Sequence, residues 1–316
     1  MKLIAPDHYR EFHCIADKCR HSCCIGWEID IDPATREKYR RIPGNFGARL
    51  NAAIDDGEVS SFRLGDGERC PMLNSSGLCD LITELGEENL CQICADHPRF
   101  RNYFTDHVEI GLGLCCEEAA RLILTRDAPM RLIPLEDDGA EAARPEDEAE
   151  LLVLRDRLIA VMQDRAVPLS ARLDALLDAV DFAIPGRDWA AVYRDLERLD
   201  PAWDTMLDSI CQLPDREAPR GLSGRPLDPF GPPALGLALE NFCVYLLYRH
   251  LPGALEDGDL AGRVAFCVLS TRILMALCAA KDGCTLADLL DFARMYSAEI
   301  EYDEDNIAAL LDALWQ

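Results

Sequence analysis

Cysteine is the residue with most chemical reach in this sequence. Ten of its fifteen cysteines precede residue 117, at Cys14, Cys19, Cys23, Cys24, Cys70, Cys79, Cys91, Cys94, Cys115 and Cys116. Cys14-x4-Cys19-x3-Cys23-Cys24 puts four thiols on one short loop, and Cys70-Pro71, Cys79 and Cys91-x2-Cys94 follow. Thiolates on short loops can converge on one ion, at about 2.3 Å for zinc, or on the four corners of an iron–sulfur cluster. Nine or ten thiols exceed one such shell, so the pattern predicts two sites, or one site with spare packed or reactive cysteines. The spacing leaves iron and zinc both open.

Other side chains join the set. His13 and His21 flank the first cysteines, and His97-Pro98-Arg99-Phe100 follows Cys94, where Arg99 offers a bidentate grip on the carboxylate of a cofactor. Glu28, Asp30, Tyr103 and Glu109 are carboxylates and a phenol that lie near the thiols in sequence. Cys211, Cys243, Cys267, Cys278 and Cys284 stand in apolar helical contexts and read as small hydrophobes. Gly111-Leu112-Gly113 shows no flanking strand and does not read as a nucleotide loop.

The expected fold class is mainly α: a small Cys-rich metal-binding N-terminal domain with short helices and loops, followed by an α-helical domain. Residues 1–135 form the first, the acidic run 136–150 a linker, and 151–316 the second. Asp32-Pro33 predicts a capped helix to about Arg41, and a short one is expected at 78–85. Apolar spacing of three and four predicts helices at 151–164, 170–182, 189–199, 202–213, 235–250, 260–280, 286–296 and 305–315. Ser170 and Thr285 stand where helix caps belong, and no run in the second half alternates as a strand.

Composition bounds the partners. With 57 acidic against 32 basic residues the formal charge is −25, which disfavours nucleic acid and anionic membranes and permits a lysine-rich protein partner. The N-terminus carries no uninterrupted apolar stretch, and so many cysteines suit a reducing compartment, so a cytoplasmic location is expected. Val264 to Ala280, the most apolar stretch, is broken by Ser270, Thr271 and Arg272 and reads as a core helix.

Phe12-His13-Cys14, Ser22-Cys23-Cys24-Ile25-Gly26-Trp27-Glu28-Ile29-Asp30, Cys70-Pro71-Met72-Leu73-Asn74, Leu85 through Cys91, His97-Pro98-Arg99-Phe100 and Cys116-Glu117-Glu118-Ala119-Ala120-Arg121 together resemble the bacterial flagellin lysine N-methylase family. The likeness extends to Glu240-Asn241-Phe242 with Tyr245, and to Ser297 through Glu301 with Asn306. Glu117, where the family tends to have proline, and the additional Cys115 depart from the pattern. The resemblance implies methyl transfer from S-adenosylmethionine to lysine amines of a flagellin-like protein, in the cytoplasm, by an enzyme carrying a [4Fe-4S] cluster. It implies Cys14, Cys19, Cys23, Cys24, Cys70, Cys79, Cys91, Cys94 and Cys116 as ligands. Two rivals remain at this stage: a non-enzymatic zinc- or iron-binding protein with a helical partner-docking domain, and a redox protein using Cys91-x2-Cys94.

Overall fold

The computed structural model describes residues 1–139, 142–213 and 233–316. In chain order the first elements are β1 (Lys2–Pro6), β2 (Asp30–Ile31), α1 (Pro33–Arg40), α2 (Gly44–Ala52), β3 (Ile54–Asp56), β4 (Ser60–Phe62), α3 (Asp80–Leu85) and α4 (Gln92–Asp96). Then come β5 (Arg99–Tyr103), β6 (His107–Leu112), α5 (Glu117–Leu124) and β7 (Leu132–Asp137). The rest is helical: α6 (Glu146–Met162), α7 (Leu169–Asp178), α8 (Trp189–Arg194), α9 (Ala202–Ile210), α10 (Pro233–His250), α11 (Ala254–Asp257), α12 (Leu260–Ala280), α13 (Leu286–Tyr296) and α14 (Glu304–Leu314). The chain forms two compact units, one of residues 13–99 and one of residues 1–12 with 100–316.

The unit of residues 13–99 is built on a three-stranded sheet in the order β2-β4-β3, antiparallel throughout. Its strands are two or three residues long, so side chains and caps hold much of it together. Asp32 caps α1 through Thr35 N–H (2.9 Å) and accepts the Gln92 N–H at the start of α4 (3.0 Å), while Pro33 takes the first helical position, where no N–H is needed. Arg36 makes a two-pronged bond to Asp56 (2.7 and 2.8 Å), and Tyr39 donates to the Asn89 carbonyl (2.8 Å). Ile29, Ile31, Tyr39, Leu50, Ile54, Phe62, Met72 and Leu81 form the core, and Cys70 and Cys91 are buried in it.

In the larger unit the strand order is β5-β6-β1-β7, with β1 parallel to β6 and antiparallel to β7. All residues of β6 except Val108 are buried, so it shows no alternation. Glu109, on that strand, is met by Arg155 of α6 with two bonds of 2.6 Å. The helical core centres on α10 and α12, whose apolar residues run round the whole circumference, as a central helix requires. Helix α12 is long and apolar enough to cross a membrane by composition, and residues 264–278 are all buried among the other helices. Ser270 and Thr271 there return their hydroxyls to the carbonyls of Phe266 and Cys267, and Arg272 pairs with Asp174 (2.7 Å).

The expected fold class needs correction. The protein is mainly helical, but among the described residues seven strands lie in two sheets, and a distinct Cys-rich N-terminal domain of residues 1–135 is not shown. Strands from residues 2–6 and 100–137 belong to the same compact unit as α5 to α14. β2, β3 and β4 are two or three residues long and β6 is buried on both faces, and neither kind leaves a period of two, while β5 and β7 carry no apolar–polar alternation in burial. The expected linker overlaps the end of β7 and the start of α6, and its residues 140 and 141 lie outside the described residues. The expected helices of the second half are present, several of them shorter. Thr285 and Asp288 form a reciprocal capping box, whereas Ser170 lies inside α7, which starts directly after Pro168.

Candidate functional site

Backbone pairing gathers the thiols of residues 13–99. The Cys70 N–H donates to the Cys24 carbonyl (2.8 Å), Leu73 bridges to Cys79, and Asp80 N–H donates to the Met72 carbonyl (2.8 Å). Cys91 precedes α4, and Cys94 lies in its first turn, three residues on and so on the same face. Cys23 and Cys24 share a thiol–thiol hydrogen bond, as do Cys91 and Cys94. Cys24, Cys70, Cys79, Cys91 and Cys94 lie near enough to shift one another's ionisation, and buried Tyr39 senses three of them.

The protons divide unevenly over this set. The Cys23 thiol stabilises the Cys24 thiolate against burial, with help from Ser22 and Arg69, and brings Cys24 down to about 7. The Cys94 thiol lowers Cys91 in the same way. Burial pushes Cys70 up to about 12 and raises Cys79, while the hydrogen bond to Cys91, then burial and the neighbouring thiolates, raise Cys94. A cation among them would relieve both the repulsion and the desolvation. In chemistry and burial the donor set fits a thiophilic metal or iron–sulfur cluster. In placement the thiols stand in pairs: among the described residues no three His, Cys, Asp or Glu side chains are arranged to hold an ion.

The remaining expected residues are placed as follows. Cys14 is exposed and accepts the Ala16 N–H, and the Cys19 thiol donates to the His21 carbonyl (3.1 Å). Cys116 lies in the larger unit as the N-cap of α5. Arg99 donates to the carbonyls of Ala95 (3.2 Å) and His97 (3.5 Å) at the end of α4. His97 packs its ring on Trp27 and is driven down to about 4 by burial, then by Arg99. Glu28, Asp30 and Tyr103 are exposed, and Glu109 is committed to Arg155 and His107.

Sequence reading missed a second polar cluster, buried in the larger unit. Glu301, on a π-helical turn (residues 297–301), accepts the Tyr245 hydroxyl (2.8 Å) and pairs with His250 Nε2 (2.7 Å) and Arg249 (3.4 Å). Arg249 donates to Tyr245 Oη (2.7 Å) and lies over the rings of Phe100 (5.0 Å) and Tyr302 (4.7 Å). Burial would raise Glu301, but Arg249, His250 and Tyr245 outweigh it and hold its carboxylate below the usual range, while burial lowers His250 against the pull of Glu301. The advance signals were the resemblance, which takes in Tyr245 and Glu301 without giving them a role, and charge inside apolar runs: Arg249-His250 closing α10, and Glu301 beside Ile300.

This cluster adjoins a cavity at the carboxyl ends of the parallel pair β1 and β6. Its volume is about 20 Å³, room for a water-sized group. Phe100, Met130, Val244, Tyr245 and Tyr248 supply most of its wall, with His8, Arg126 and Asn241 as polar members. Gly111-Leu112-Gly113 stands at the end of β6 with α5 beyond it, so a strand does flank it. Its glycines serve close packing: a Cβ at Gly111 would overlap the Phe100 ring, and one at Gly113 the Tyr302 hydroxyl.

Other residues of the resemblance serve as fasteners. Glu240 joins Arg165 (3.0 Å) and Arg172 (2.7 Å), and Asn241 donates to the carbonyls of Leu124 and Arg126. Glu299 accepts the N–H groups of Leu199 and Asp200, and Asn306 bonds Glu197 and Glu299.

No family model and no solved structure matches the chain. It is similar to the Lysine-N-methylase of Salmonella choleraesuis, 30% identical over 142 residues, and to that of Salmonella typhimurium, 30% identical over 140 residues. Each match covers 41% of this chain and 34% of the relative, so the chain spans about a third of these methylases' length. The Flagellar biosynthetic protein FliU of Salmonella muenchen is 28% identical over 143 residues, 41% of this chain and 81% of that protein. Over about two-fifths of its length the chain is thus a distant relative of Salmonella proteins named for lysine methylation and flagellar biosynthesis.

Proposed function

We propose that this protein is a protein-lysine N-methyltransferase that uses S-adenosylmethionine and acts on a flagellin-like, lysine-bearing protein. The observation that carries this reading is the similarity to the two lysine-N-methylases. The acidic surplus supports it, since a charge of −25 attracts a lysine-bearing partner. In the reaction a neutral lysine nitrogen attacks the sulfonium methyl carbon: the N–C bond forms, the S–C bond breaks, and the donor leaves as a thioether. The ammonium must first lose a proton, and the protein has to position the neutral amine in line with the methyl group.

The reading includes a [4Fe-4S] cluster held by Cys24, Cys70, Cys79, Cys91 and Cys94 or a subset of them. Held by three of these thiolates, such a cluster would leave one iron able to accept a further ligand; held by four, it would be closed. Burial of Cys70 and Cys91 in the core of their unit is equally what a purely structural zinc would want, which keeps the non-enzymatic reading as the alternative. The test is incubation of anaerobically purified protein with methyl-labelled donor and flagellin, followed by peptide mass spectrometry. Label on lysine nitrogen, lost when the acceptor lysines are changed to arginine, is expected. Metal-replete protein that transfers no label to any lysine refutes the proposal.

A further inference from the structure

Sequence reading takes Cys278 and Cys284 as separate small hydrophobes, and the structure brings their thiols together. Cys278 stands in the last turn of α12 and is only 5% exposed, while Cys284 is half-buried, directly before the Thr285 cap of α13. The chain turns between them through Gly283, whose φ of +65° suits glycine, and the Cys284 N–H returns to the Lys281 carbonyl (3.2 Å). The two thiols share a hydrogen bond, and the Cys284 thiol also faces the Thr285 carbonyl (3.7 Å). Both cysteines belong to the larger unit and are no part of the thiol set of residues 13–99.

Packing in the helical core accounts for the buried Cys278. It does not account for a second thiol beside it, one that follows three exposed residues, Lys281, Asp282 and Gly283, and is itself open to small solutes. We propose that Cys278 and Cys284 are a reversible dithiol–disulfide pair, with Cys284 as the thiol that attacks a small-molecule disulfide and Cys278 as the one that resolves the adduct. The inference is independent of the proposed methyltransferase reading.

The exchange balances. The Cys284 thiolate attacks one sulfur of the incoming disulfide; a new S–S bond forms, the S–S bond of the oxidant breaks, and a first small thiol leaves. Cys278 then gives up its proton and its sulfur attacks that of Cys284, releasing a second small thiol. The protein loses two electrons and two protons, and the small disulfide gains them. Exposure assigns the roles, since only Cys284 is open to an oxidant and Cys278 lies against its sulfur. The hydrogen bond from Cys278, helped by Lys281, lowers Cys284 against burial and Asp288, while the same bond and burial raise Cys278, so the thiolate forms on the accessible side. Once Cys284 is capped, the bond that holds the Cys278 proton is gone and only burial opposes its release. The closed bond, about 2.05 Å between sulfurs, would tie the end of α12 to the start of α13.

Trypsin makes the test direct. It cuts after Arg272, Lys281 and Arg294, so Cys278 and Cys284 fall on separate peptides, 273–281 and 282–294, with one cysteine each. The folded full chain is incubated with glutathione disulfide, quenched by unfolding in N-ethylmaleimide, digested and read by mass spectrometry. The two peptides should appear joined, lighter than their sum by two hydrogens, and separate again in dithiothreitol. In a glutathione redox buffer the joined fraction should be larger in the folded protein than in the same chain in urea. Cys278→Ser should keep glutathione on Cys284, and Cys284→Ser should leave Cys278 unmodified. The wild-type map decides the matter even if a variant misfolds. Both peptides recovered apart, each carrying N-ethylmaleimide, would overturn the proposal. So would a lasting glutathione adduct on wild-type Cys284, a joined fraction no larger than in urea, or an adduct on Cys278 in Cys284→Ser.

Discussion

Glu301→Gln removes one charge from the centre of the buried Tyr245, Arg249 and His250 cluster while keeping the side chain's size. Glutamine can still accept from Tyr245 Oη and His250, so the loss is concentrated on Arg249, whose carboxylate partner stands 3.4 Å away. Breaking a buried ion pair by removing one partner costs about 3–5 kcal/mol, and the retained hydrogen bonds place this variant near the lower end. At roughly 2–4 °C per kcal/mol for a unit of this size, the melting temperature should fall by about 6–12 °C. Calorimetry at neutral pH measures this directly. Glu301 titrates below its ordinary value of 4.5 in the folded protein, so its contribution is complete above that pH and is lost as pH falls through the folded value. Wild type and variant should therefore converge in acid. Pairing the change with Arg249→Met should recover most of the loss, because no buried charge is then left alone. A fall under about 1 kcal/mol, or a double variant worse than Glu301→Gln alone, would refute the account of the cluster.

Three further outcomes are expected. Thr285→Ala removes half of the capping box of α13 and should lower unfolding free energy by about 1 kcal/mol in a urea titration. In metal-free protein at pH 8, iodoacetamide should label Cys24, at about 7, at least about tenfold faster than Cys70, at about 12, as read by peptide mapping. Anaerobically purified protein should contain iron with matching acid-labile sulfide and absorb broadly near ~400 nm, and Cys70→Ser and Cys91→Ser should each lose it. Colourless protein with zinc alone would favour the non-enzymatic reading.

Different physical signals made parts of this molecule legible in advance. Helices α10, α12 and α13 were readable because a helix that packs on helices repeats its apolar residues locally, and Asp32-Pro33 and Thr285 announce helix starts with capping side chains. The sheet was not readable. The parallel pairing of Lys2 with His107 joins positions far apart in sequence, and β6, buried on both faces, hides its period. The thiol set was visible by density, and its hydrogen-bonded pairs Cys23–Cys24 and Cys91–Cys94 are neighbours in sequence, yet the approach of Cys24 to Cys70 and of Leu73 to Cys79 comes from backbone pairing that no spacing reveals. The cluster around Glu301 and the cavity beside it were least legible. Their members come from β1, β5, β6, α5, α10 and the turn before α14, and only the fold brings His8, Tyr245 and Glu301 into one unit.

The proposed activity has a stoichiometry that a contaminant or a bystander metal protein would not reproduce. With anaerobic protein, donor and flagellin, S-adenosylhomocysteine and methylated lysine should appear together, one of the first for each methyl group on the second, through the whole time course. Donor consumed without methyl-lysine, or no turnover by protein with its metal in place, would contradict lysine methylation as what this molecule does.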